Sequence, residues 1–230
     1  MLGTIVNVCA ICAGTTIGCV VKKGVKQEYQ DALMNAMGLA SLALGMNAVV
    51  QNLPKSEFPV LFILSIAIGS LVGYMIDISG RFERLTDRFA KAESSSKLAQ
   101  GLSTAIMLFC IGTLSILGPV NAALYGDHTF LFTNATLDFV TSIVLASVYG
   151  IGIMAAAAVL FCWQGSIYLL ASLAASSIPE PMMVEVSIIG GILILSSGLG
   201  ILKLKDLKAI NMLPSLLIPV IWFGIKALVM

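Results

Sequence analysis

The chain has 230 residues, 58% of them apolar and 11% charged, with a mean hydropathy of +1.00. Globular domains carry about 45–50% apolar and about 25% charged residues, so a soluble fold would lack polar surface, and disorder, which needs low hydrophobicity and high charge, is excluded. The 13 basic and 12 acidic residues leave no footprint for nucleic acid, and five cysteines set in apolar runs make no disulfide framework. This is the composition of an all-α, polytopic membrane helix bundle.

A spanning helix needs about 20 mostly apolar residues. In chain order such runs lie at 2–21, 32–50, 59–78 and 102–124, then in a long tract at 137–178, then at 186–202 and 212–229. The long tract suits two helices. Its turn is expected at Cys162-Trp163-Gln164-Gly165, where an aromatic and an amide fit the interface and glycine permits a left-handed residue. Eight spans result, or seven if 165–178 is re-entrant. The runs lack period-two alternation and are too long for barrel strands.

Charge sets the orientation. Lys22, Lys23 and Lys26 follow the first run, Arg81, Arg84, Arg88, Lys91 and Lys97 follow the third, and Lys203, Lys205 and Lys208 precede the last. The alternate connections hold Lys55 alone or no basic residue. Eight spans with both termini outside put every basic loop in the cytoplasm. No positive n-region precedes the first run, so it is expected to be an N-out helix and not a cleaved signal. Within the polar stretch 79–100, Phe82, Leu85 and Phe89 fall on one helical face and Asp87 stands four residues before Lys91. That pattern suits an amphipathic helix on the cytoplasmic surface, the alternative being a solvated connector.

The chain also repeats itself. Gly3-Thr4-Ile5 is echoed by Gly165-Ser166-Ile167, the Gly38 and Gly45 spacing by Gly191 and Gly198, and Pro59 by Pro214. The expected organisation is one membrane domain: repeat one at 1–78, the amphipathic segment at 79–100, a central hairpin at 101–160 and repeat two at 161–230. With eight spans the two repeats are inverted, as in many secondary transporters. The competing explanation is that small residues recur in any packed membrane helix.

Candidate ligands cluster in that hairpin. Gly112, Gly118 and Pro119 weaken the fourth span, while Thr113 and Ser115 supply hydroxyls beside the freed backbone, the makings of a discontinuous helix around a solute or of a plain proline kink. Asp138 opens the fifth span with Ser142 one turn deeper, either as a cation or proton site or as an N-terminal cap. Asn7, in the first span, is the best ligand among the other polar groups, although interhelical bonding would also explain it. Cys9 and Cys12 lack the second pair of a zinc site, His128 stands alone, and no phosphate-binding Gly-Lys-Ser/Thr motif occurs. No enzyme, metal or cofactor is expected.

At CIGTLSILGP (110–119), LDFVTSIVLAS (137–147), EVSIIGGILIL (185–195) and NMLP (211–214) the chain resembles the bacterial YqgA/YdfK-like family, domain-of-unknown-function family 554, from Gly3 onward. The resemblance implies a multi-pass protein of the bacterial inner membrane and no particular substrate. The expected function is a secondary transporter or permease for a small solute or cation, with the lipid bilayer as surroundings and room for a homo-oligomer. Alternatives are an oligomeric channel, or a scaffold acting through the surface helix.

Overall fold

The computed structural model describes residues 1–21, 26–81, 84, 97–175 and 179–229, and these contain helices and no strand. The helices are α1 (Leu2–Val20), α2 (Gln27–Asn52), α3 (Leu61–Ile76), α4 (Lys97–Ile111), α5 (Thr113–Tyr125), α6 (Thr129–Tyr149), α7 (Ala155–Ala175), α8 (Glu180–Ile201) and α9 (Leu217–Val229). Short 3-10 segments at Leu53–Lys55, Ile151–Met154 and Ala209–Leu216 extend the ends of α2, α7 and α9. Seven of the resulting spans are long and apolar enough to cross a bilayer, and the pair α4–α5, bent by 43° at Gly112, makes an eighth if it crosses as one. Phe82, Leu85 and Phe89, the residues of the expected surface helix, lie outside the described residues.

The chain divides into two compact units, Met1–Met37 with Arg81–Ala175 and Gly38–Gly80 with Ser176–Met230. In the first, α1 lies along α6. Its buried face is Gly3, Thr4, Asn7, Ile11, Gly14, Thr15 and Gly18, a stripe at helical spacing made mostly of small residues. Lipid offers no hydrophobic force between helices, so close backbone approach must supply the contact. Gly14 accordingly meets the Phe139 backbone and Gly18 that of Ile143. Around this pair the core is filled by Ile11, Phe109, Leu145, Ile153 and Leu160. The pairing is parallel, since Gly3 meets Leu131 near the start of both helices and Gly18 meets Ile143 further along. A parallel α6 requires an even number of crossings before it. With α1, α2 and α3 crossing singly, the bent α4–α5 must be the fourth, which favours eight spans over seven.

In the second unit α2 and α8 are antiparallel. Gly38 meets Leu202, Gly198 meets Leu42, and a carbon added at Gly45 would fall 2.6 Å from the Gly191 carbonyl oxygen. The 3-10 segment Ala209–Leu216 that leads into α9 is antiparallel to α3, with Gly69 against Ser215 and Gly73 against Asn211.

The turn between spans five and six differs from expectation. It falls at Gly150, whose φ of 84° is one that L side chains avoid, and α7 runs unbroken through Cys162-Trp163-Gln164-Gly165. The seven-span reading with a re-entrant 165–178 fails for the same reason over its described part. Span five also begins earlier, at Thr129, because the polar residues at its start are satisfied within the helix: Thr133 donates to the Thr129 carbonyl at 2.9 Å and Thr136 to that of Phe132 at 2.9 Å. A third difference concerns the repeat register. Gly3 starts α1 but Gly165 sits in the middle of α7, so the two glycines are not equivalent. The helix starts share another offset, 153 residues from Leu2 to Ala155 and 153 from Gln27 to Glu180, which also relates Gly38 to Gly191 and Gly45 to Gly198.

Candidate functional site

The first unit carries a carboxylate in the middle of a span. Asp138 lies in the third turn of α6 with only 4% of its surface exposed. An N-terminal cap it is not, because His128 holds that position. Two carboxamides converge on one of its oxygens. Asn7 Nδ2, reaching from α1, donates to Asp138 Oδ2 at 2.8 Å, and Asn134 Nδ2, one turn earlier on α6, donates to the same atom at 2.9 Å. Asn7 itself is fully buried, and its Oδ1 has no hydrogen-bond partner among the described residues. The Thr4 hydroxyl, one turn before Asn7 on the same face, is likewise buried and unpartnered.

The remaining candidates divide. Gly112 is the break itself, with extended φ and ψ of −60° and 142°, and a carbon added there would have only the Leu108 carbonyl oxygen near it, at 4.0 Å. Thr113 and Ser115 are buried in the first turn of α5, where Ser115 Oγ accepts from Gln164 Nε2 of α7 at 3.1 Å. Gly118 and Pro119 do not interrupt the helix; Gly118 lets α5 approach Leu131 of α6. Ser142 shares a face with Asp138, but its hydroxyl donates to the Phe139 carbonyl at 2.8 Å while Gly14 crosses above it. Asn7 and Asp138 are therefore joined directly, Ser115 is joined to Gln164, and Ser142 is turned back on its own helix.

Two participants escaped the sequence reading. Asn134 stands four residues before Asp138, the spacing that puts both on one helical face, and was hidden by starting the span too late. Gln164, expected at an interfacial turn, is instead buried, its Oε1 unpartnered among the described residues. Glu185, in the second unit, is fully buried as well: Ser56 Oγ donates to its Oε1 at 2.5 Å and the Phe58 amide at 3.3 Å. No group of three or more His, Cys, Asp or Glu side chains able to hold a metal occurs among the described residues.

Apolar spans that pair through glycine, with polar side chains turned inward, define a polytopic α-helical membrane protein. The chain belongs to the family described as "Protein of unknown function (DUF554)", whose model matches residues 2–224. It is 59% identical over 228 residues to "Uncharacterized membrane protein YdfK" of Bacillus subtilis (strain 168), covering 99% of this chain and 98% of that protein. To "Uncharacterized protein YqgA" of Escherichia coli (strain K12) it is 27% identical over 227 residues, covering 95% and 94%. No solved structure matches the chain.

Proposed function

We propose that the protein is a secondary transporter of a small solute or ion in the bacterial cytoplasmic membrane, with both termini outside and the solute site around Asp138. The observation that carries this reading is the Asp138 cluster: a carboxylate at mid-span, bound by neutral amides from two helices. Ionisable groups inside spans are costly and functional by default, and a chain that needed only to cross the bilayer would place an apolar residue there. The break at Gly112 in the same unit adds backbone ends of the kind that transporters aim at solutes. Support for an inverted repeat comes from the shared 153-residue offset of α1 with α7 and α2 with α8, and from the antiparallel packing of α2 on α8. Eight crossings keep the connections after spans one, three and seven on one side, and those are the basic ones, which supports a cytoplasmic assignment.

Electrical recording from proteoliposomes on a solid support tests this. Jumps of NaCl, of pH and of pooled amino acids, sugars, nucleosides and organic acids should evoke transient, saturable currents that Asp138→Asn abolishes. A steady graded conductance would identify a channel. Silence from folded wild-type protein under every jump would leave a scaffold.

A further inference from the structure

Resting on the assignment of Asp138 as a solute or ion site, we infer that its occupant is a single alkali cation, with Na⁺ the natural probe, held between the Asp138 carboxylate and the carboxamide oxygen of Asn7.

Asp138 brings one negative charge into a buried place, and its bonded partners Asn7 and Asn134 are neutral. Among the described residues the ion pair Lys226–Glu57 involves neither Asp138 nor its neighbours, so no basic side chain answers the carboxylate. A buried ionised group is retained only when paired or coordinated. One monovalent cation neutralises one carboxylate. A divalent ion would leave a positive charge stranded in low dielectric, and a transition metal would want nitrogen or sulfur ligands, which do not cluster here.

Carboxylate, carboxamide and hydroxyl oxygens are hard ligands suited to hard cations. Asn7 Oδ1 is wholly buried, lacks a partner, and belongs to the carboxamide whose nitrogen touches Asp138 Oδ2. Turning that carboxamide by about half a revolution exchanges its N–H₂ for its oxygen. The carboxylate of α6 and the amide oxygen of α1 would then face each other across a gap that a cation can bridge. Thr4 Oγ1, one turn away on the same buried stripe, is a further oxygen without a partner among the described residues. In the arrangement described here the amide N–H groups of Asn7 and Asn134 face the carboxylate on the side where the ion's charge would lie. Cation binding replaces the α1–α6 hydrogen bond with a stronger link between the same helices.

Direct binding tests the inference on the full chain. In detergent or nanodiscs, wild-type protein should bind ²²Na⁺ saturably, one per chain. Replacing choline chloride by NaCl at constant ionic strength should raise the Tm by about 3–5 °C at concentrations well above Kd. Asp138→Asn removes both effects, and Asn7→Leu weakens Na⁺ binding by about tenfold or more. If Asp138→Asn does not fold, the wild-type isotherm and the Asn7→Leu variant still decide. Absence of saturable ²²Na⁺ binding by folded wild type overturns the inference, as does a Tm rise given equally by choline chloride. The two readings separate cleanly. Na⁺ binding without transient currents keeps the cation site and removes transport, whereas solute or proton currents without Na⁺ binding keep transport and remove the cation site.

Discussion

Asp138 and Glu185 are both carboxylates sunk in apolar helices, and their partners assign them different work. Asp138 is contacted by side chains alone, from two spans that are distant in sequence. Glu185 accepts from the Phe58 backbone amide and the Ser56 hydroxyl, and so fastens the segment leading into α3 against the start of α8. A neutral amide can make the same two contacts through its oxygen. Glu185→Gln is therefore expected to cost no more than about 1 kcal/mol, whereas Glu185→Leu leaves the Ser56 hydroxyl without its acceptor, the Phe58 amide keeping Ser56 Oγ at 3.1 Å, and costs about 1–3 kcal/mol. Urea unfolding of the two variants measures the difference, and equal losses would remove the fastening role. Both carboxylates were visible in the sequence as polar groups in or beside apolar runs, but neither depth nor partners were. The misjudged depth of Asp138 has a definite cause. Hydropathy scores the threonines before it as polar, while in the folded helix the hydroxyls of Thr133 and Thr136 are spent on carbonyls one turn back. Partner choice was hidden more deeply, because Asn7 and Asp138 are 131 residues apart.

At the level of helices, glycine does two separable jobs. Gly150 turns the chain, and Gly45 and Gly191 let α2 and α8 touch backbone to backbone. The turn was missed because Gly150 stands inside a continuous apolar tract, and hydropathy cannot see a positive φ; the amide at Gln164 gave a false marker. The close approach was legible, since the recurrence of Gly38 and Gly45 as Gly191 and Gly198 pointed to equivalent contacts. The same spacing shows why a leucine is intolerable there. At Gly45 an added carbon would meet the Gly191 oxygen and the Leu195 backbone, and backbone atoms do not swing aside. Gly224 of α9, by contrast, has nothing within 4 Å of such a carbon. Gly45→Leu should lose about 1–3 kcal/mol through overpacking and appear as a lower Tm and a smaller monodisperse fraction on size exclusion. Gly224→Leu should match wild type in both. Equal behaviour of the pair would remove the crossing as a source of stability.

For the whole molecule, the strongest statement comes from parity. Parallel helices in one layer must be separated by an even number of crossings from start to start, and antiparallel ones by an odd number. Spans one and five are parallel in the first unit; spans two and seven, and three and eight, are antiparallel in the second. All three relations hold together only if the bent α4–α5 is a single crossing, and the total is then eight. An even total puts both termini on one side. In the proposed orientation charge sets the side: Lys26, Arg81, Arg84, Lys203, Lys205 and Lys208 lie on connections of the face opposite the termini, and basic connections favour the cytoplasm. A C-terminal alkaline phosphatase fusion should therefore be active, and a C-terminal green fluorescent protein fusion dark. An N-terminal tag readable only from outside completes the test. A fluorescent C-terminus with an outside N-terminus would mean an odd number of crossings and return α4–α5 to a re-entrant loop, whereas a fluorescent C-terminus with an inside N-terminus would keep eight crossings and reverse the protein. The proposed inverted repeat depends on the number of crossings and not on the direction of insertion, because two repeats of opposite sense would remain opposite whichever way the chain is inserted.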